Sequence, residues 1–409
     1  MRGEACPQLA PSAAESQPTN MQFALLSALG IFFVVDGHLN NSFFDIGGLL
    51  PYYSFHMQLF VFISGYFCRE DGRGLVSYGI KKCRRLMLPY FAWNLIYGLL
   101  AALLRSRGFA FGEPVTLWTL FIEPFCTGYQ FILNHAAWFV PALFLVELAH
   151  RGLAELAHWA QARQAQAELA HRGLAWRARQ AQGESAHRIG RRTAGEWPLL
   201  FVSLLLGLGA IWTAKHVGTE GFLLTLVRML FLLPFYCAGN LYRRELEARD
   251  RLGSPAYFSL ILLAALVLAL RGRPVIYAVS HCRDFPGYLT PYLSAFLGIA
   301  FWLRVSRILA PAIENSALVR YAGRNTYPIM MHHMMVFLGI KTVYAFLAKY
   351  AGIFTGFDFE AYKTDFYYCY YPRGLVQLRV FYLAAGLVLP LALHWIMTRV
   401  MCTLREKMF

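Results

Sequence analysis

Ten long apolar runs, set apart by polar connections, constrain this chain more than any other feature. They cover roughly residues 22–39, 50–67, 88–104, 136–150, 197–214, 221–242, 255–270, 286–306, 325–348 and 379–401. A run of about 20 such residues crosses a bilayer as a helix, because no water is there to pair a backbone N–H or C=O and the helix pairs both internally. The fold class that follows is all-α: a polytopic membrane helical bundle of about ten transmembrane helices, with the lipid bilayer as its solvent. Composition agrees, with 57% hydrophobic and 15% charged residues.

Basic residues set the orientation, since short loops rich in Lys and Arg stay cytoplasmic. The connection after the second run carries Arg69, Arg73, Lys81, Lys82, Arg84 and Arg85, whereas residues 40–49, before it, carry no base. The connections after the fourth and sixth runs are again rich in arginine. Both termini are therefore expected in the cytoplasm. The formal charge of +15 reflects this bias. It does not imply nucleic acid, because the basic residues are divided among separate loops instead of forming one patch interleaved with aromatics.

Residues 1–20 are polar and alanine-rich, with no apolar signal core, and read as a disordered cytoplasmic tail ahead of a transmembrane domain over 21–409. Within that domain, residues 151–196 form a basic Ala/Gln/Arg-rich cytoplasmic insertion. It holds a repeat: Glu147 through Ala154 returns as Glu168 through Ala175. Copies of one low-complexity unit multiply histidines without arranging ligands, so His150, His158, His171 and His187 are not read as a metal cluster. A helix lying on anionic headgroups suits this composition. The eight cysteines show no paired spacing; a bridge among the external Cys126, Cys282 and Cys369 stays open. No metal site is expected, since no two ligand-type residues have ligand spacing within one span.

Ionisable residues at membrane depth are costly, on the order of 2.5–3.5 kcal/mol each on insertion scales, and are functional candidates for that reason. His38 ends the first run and His56 opens the second, which places both in the outer half of the membrane and near one another. His333 lies at mid-depth in the ninth run, where Pro328 is expected to kink the helix. Asp36, two residues before His38, does not share its helix face; Arg228, in the sixth run, is the better partner for Asp36. For His56 and His333 a plain interhelical hydrogen bond is an equal reading. Phe366 through Tyr371 cluster aromatics outside, where membrane anchoring is preferred over stacking on sugar rings.

With these residues in place, the chain resembles the integral membrane acyltransferase family 3, and within it the sugar O-acetyltransferases and fucose 4-O-acetylase-like proteins. The likeness rests on five segments in order. Gly30 through His38 resembles the family's opening span ending in a histidine, and Phe55-His56 with Ser64-Gly65-Tyr66 its second. Lys82 and Arg85 before Pro89-Tyr90 resemble its basic pair, Trp138-Phe139 its Trp-Phe segment, and Gly323 through His333 its late span. Two positions depart from the family pattern: Ser27 stands where a basic residue is usual, and Asp36 where an aliphatic one is.

The resemblance implies an acyl-CoA-dependent O-acyltransferase of a bacterial inner membrane. Such an enzyme moves an acyl group, acetyl by preference, onto a hydroxyl of an envelope glycan or lipid-linked sugar. No resident cofactor is implied; acyl-CoA is a donor substrate. His38 would be the general base, with Asp36, His56 and His333 as further catalytic residues. Lys82 and Arg85 would hold donor phosphates. Ser64 and Gly65 would leave room for the thioester arm, and Arg228 and Trp138 would contact the acceptor. The alternative is a transporter or flippase for a polar or lipid-linked substrate, weakened by the lack of an evident inverted repeat.

Overall fold

The computed structural model describes residues 20–39, 48–69, 72, 74–180, 195–271 and 275–408. The expected N-terminal tail, apart from Asn20, lies outside the described residues, as do 181–194 of the insertion. Thirteen α-helices are found among the described residues. They are α1 (Met21–Gly37), α2 (His56–Tyr66), α3 (Leu75–Lys82), α4 (Leu88–Arg105), α5 (Phe139–Gln180), α6 (Glu196–His216) and α7 (Phe222–Leu241). After these come α8 (Ser254–Leu270), α9 (Thr290–Leu309), α10 (Ala317–Arg324), α11 (Thr326–Ala351), α12 (Phe359–Thr364) and α13 (Arg379–Met408). Each of the ten apolar runs carries one of them. Seven helical stretches are long and apolar enough to cross a membrane, while α1 and α8 are shorter apolar helices of 17 residues and α2 has only 11.

Local chemistry sets the helix ends. The Asn20 side chain accepts the Phe23 N–H and starts α1, and Ser316 does the same for α10 through Val319. Asn325, with φ −115° and ψ 43°, breaks α10 from α11. Pro328 then falls in the first turn of α11, where its missing N–H would have had no intrahelical partner. The expected kink is therefore a helix start.

The outer faces are apolar: Leu95, Leu99 and Leu103 on α4, Phe201, Leu205 and Trp212 on α6, Leu260 and Leu263 on α8, and Phe381, Val388 and Trp395 on α13 are exposed. A lipid surround hides faces of that extent from water. Among the seven spans, the one containing α7 is the most buried. It packs against α2 through reciprocal glycines: a Cβ on Gly65 would strike the Tyr236 carbonyl, and one on Gly239 the Phe62 carbonyl. Small residues let two backbones approach this closely. The channel role expected of Ser64 and Gly65 is corrected accordingly, since Gly65 is closed by α7 and the Ser64 hydroxyl donates to the Phe60 carbonyl at 2.9 Å.

Ion pairs gather at one end of the bundle, its basic end: Lys82 with Glu147 at 2.6 Å, Arg244 with Glu196 at 2.9 Å, and Arg304 and Arg307 with Asp250. α5 runs without a break from Phe139 to Gln180, so the insertion begins as an extension of the fourth span. Cys126, Cys282 and Cys369 are free thiols.

At the opposite end, segments 106–138, 275–289 and 352–378 are mostly irregular and are tied to the helices and to each other. Lys341 of α11, 2% exposed, donates to the Phe366 carbonyl at 2.9 Å. Lys215 reaches the Phe285 carbonyl at 2.7 Å, Thr225 the Cys126 carbonyl at 3.2 Å, and the Ala110 N–H the Lys363 carbonyl at 2.9 Å. These segments form a roof over the site.

Candidate active site

Three imidazoles are held in the same way. The Nδ1 atoms of His38, His56 and His333 lie 2.7, 2.8 and 2.8 Å from the carbonyl oxygens of Val34, Tyr52 and Ile329, each four residues back. A carbonyl only accepts, so each Nδ1 carries a proton, and in the neutral ring the lone pair is then on Nε2. The His333 Nε2 is buried without a hydrogen-bond partner. The rings of His38 and His333 meet edge to face with centroids 4.9 Å apart.

The far end of the short α2, Tyr66, stacks on Phe23 at 3.7 Å beside the basic end, and ten residues of helix lift His56 by about 15 Å from there. α11 continues about 27 Å beyond His333. α1 carries His38 about 22 Å from the level of Phe23, so His38 lies toward the end of the bundle away from the ion pairs. The roof segments reach down to the histidines, which irregular backbone tolerates because it is enclosed in protein.

Residues without a period in the sequence complete the site. His135 lies 6.1 Å from His38, ring to ring, and stacks on Tyr129 at 4.4 Å. Tyr367 lies nearly parallel to His38 at 6.4 Å, and its hydroxyl is 3.1 Å from the His135 Nε2. Burial pushes the Tyr367 phenol up to about 12, so it stays protonated and able to donate. The aromatic cluster therefore folds inward over the histidines, which corrects the anchor reading for Tyr367 and for Phe366, which is buried. His281 packs on Tyr129 at 4.8 Å. Burial, then Arg228 and Arg283, lower its pKa from the usual histidine value. His332, next to His333, turns to another face, where its Nδ1 meets the Tyr97 hydroxyl at 2.7 Å. An Asn134-His135 pair just ahead of a span was the available signal for His135.

Arg228 is not the partner of Asp36. Its Nε and Nη2 donate to the Ser280 carbonyl, and Nη2 also to the Tyr129 hydroxyl at 3.2 Å. Its guanidinium lies over the rings of Trp138 at 4.7 Å and Tyr129 at 5.4 Å. Trp138 is 4% exposed and supports Arg228. Asp36 is fully buried, and the group orienting His38 is the Val34 carbonyl. At the basic end, Lys82 is taken up by the buried Glu147, whereas Arg85 is exposed beside an open groove of about 480 Å³ with Ser77, Ile80, Lys81 and Arg84. No grouping of three or more His, Cys, Asp or Glu suited to a metal ion occurs among the described residues.

Imidazoles anchored through Nδ1 inside a bundle of long apolar helices define a polytopic membrane protein with ionisable groups in its interior. A family model described as an acyltransferase domain matches residues 24–399, nearly the whole chain, and the chain belongs to that family, the integral membrane acyltransferase family 3. Comparisons with curated proteins and with solved structures returned no match.

Proposed function

We propose that the protein transfers an acyl group, acetyl by preference, from acyl-CoA to a hydroxyl of an envelope glycan or lipid-linked sugar, with His38 as general base. The observation that carries this reading is the shared histidine geometry: Nδ1 spent on a carbonyl in all three, the His333 Nε2 without a partner, and His38 half-buried at the centre of the group. A sugar hydroxyl is a poor nucleophile at neutral pH. Its oxygen attacks the thioester carbonyl as the His38 Nε2 takes the proton; collapse of the tetrahedral adduct breaks the C–S bond, and the departing thiolate receives the proton back from His38. The His333 ring lies 4.9 Å away, beside the imidazolium that forms.

Arg85, with Lys81 and Arg84, suits the donor's phosphates at the basic end, which we read as cytoplasmic, with both termini on that side of a bacterial inner membrane. Family membership favours transfer over transport.

Purified protein in liposomes, given labelled acetyl-CoA and an envelope glycan, tests the proposal. Label on the glycan, lost in His38→Ala, supports it. Glycan crossing the bilayer without acquiring label overturns it.

A further inference from the structure

Arg228 is 1% exposed, on the most buried span, and its surroundings do not balance its charge. Of its five N–H donors, two go to the Ser280 carbonyl and one to the Tyr129 hydroxyl; the two on Nη1 make no hydrogen bond among the described residues. Every group it touches is neutral: a carbonyl, a phenol, and the faces of Trp138 and Tyr129. No carboxylate pairs with it among the described residues, although the same bundle supplies a carboxylate to Lys82, Arg244, Arg304 and Arg307. A cation held in a dry interior without a counter-charge is destabilising, and truncating to a neutral residue would normally relieve the cost. The cation–π contacts and the Ser280 carbonyl offset part of it and fix the guanidinium in place.

The position of Arg228 says what the unspent charge is for. Three contacts lead from it to the base: 5.4 Å to the Tyr129 ring, 4.4 Å on to His135, and 6.1 Å on to His38. These steps set an upper bound of about 16 Å on the separation, within reach of a substituted sugar or short glycan with one hydroxyl at His38 and a charged group at the far side. The flanking ring faces of Tyr129 and Trp138 supply apolar walls beside the cation. Arg283, exposed and close to His281, adds a second positive group at the same edge of the roof.

Resting on the acyl-transfer reading above, we propose that Arg228 is an acceptor-recognition residue: the acceptor carries an anionic group, a sugar carboxylate or a phosphate, that binds the free Nη1 edge while its hydroxyl lies at His38. A planar guanidinium presents parallel N–H donors to either anion. The remaining Arg228 donors keep Ser280 and Tyr129 in place, so acceptor binding and roof geometry are joined at one side chain.

The test uses the full-length protein in nanodiscs, with methyl glucuronide as the carboxylate probe, glucose 1-phosphate as the phosphate probe and methyl glucoside as the neutral one. Acetyl transfer from acetyl-CoA is measured for each, and binding of each without donor is measured by thermal shift. The expected result is a KM at least about tenfold lower for one or both anionic probes than for methyl glucoside, one hydrogen-bonded charge being enough for that ratio. In Arg228→Gln the ratio collapses toward one, and Arg228→Lys recovers part of it. Equal KM values for neutral and anionic probes in the unmodified protein overturn the proposal whether or not the variants fold. A ratio that survives in Arg228→Gln overturns it as well. Anionic probes that bind in an Arg228-dependent way, with no acyl transfer to any hydroxyl, would leave the recognition site standing and remove the transfer reading.

Discussion

The rings of His38 and His333 lie 4.9 Å apart although 295 residues separate them in the chain, and each spends its Nδ1 on the carbonyl four residues back. The two rings therefore share one small volume. A bundle in which each histidine merely bridged two helices would have placed Nε2 on a partner; the His333 Nε2 has none.

Lys82 and Arg85, alike in sequence, should behave differently. Removing the Lys82 charge strands the buried Glu147 carboxylate, so Lys82→Met should lower the melting temperature, with a cost of about 3 kcal/mol where a buried pair is broken. Arg85→Ala should leave melting unchanged and raise KM for acetyl-CoA. Melting in detergent and KM for the donor check the pair; an Arg85 variant with an unaltered KM would remove Arg85 from donor binding.

Gly65 and Gly239 are spacers between α2 and α7. Gly65→Ala should cost roughly 1–3 kcal/mol or more, because the obstructing atoms are backbone and cannot rotate away. Gly209→Ala, where nothing lies within 4 Å, is the control and should not destabilise. Thermal melting of both variants decides.

Tyr367 offers a way to separate its hydroxyl from its ring. Tyr367→Phe loses the contact with the His135 Nε2 but keeps the plane beside His38, and kcat should fall by less than about tenfold, the worth of one hydrogen bond. Tyr367→Ala removes the roof over His38 and should cost substantially more. Equal kcat values for the two variants would show that the ring contributes nothing.

The apolar runs were legible in the sequence because backbone pairing in lipid admits few alternatives, and each run carries a helix. The three histidines that come together were legible too, as ionisable groups in apolar surroundings. The shortness of α2 was not, because Phe55 and the Tyr52–Ser54 turn ahead of it continue the apolar run without continuing the helix. His135, Tyr129, His281 and Tyr367 lie in segments without a period, and only tertiary packing brings them to His38. Tyrosine-rich sequence gives no means of telling a membrane anchor from a roof, since both need a ring with a polar tip. Asp36 and Arg228 looked like a pair because opposite charges in lipid usually are; the Ser280 carbonyl, on an irregular segment, took that place.

The most direct test of the central claim is chemical rescue at His38. His38→Ala should melt as the unmodified protein does, transfer acetyl groups about 10²–10⁴ times more slowly, the usual worth of a positioned base, and regain activity in proportion to added imidazole. A His38→Ala protein that transfers acetyl groups at close to the unmodified rate, with no response to imidazole, would contradict the account.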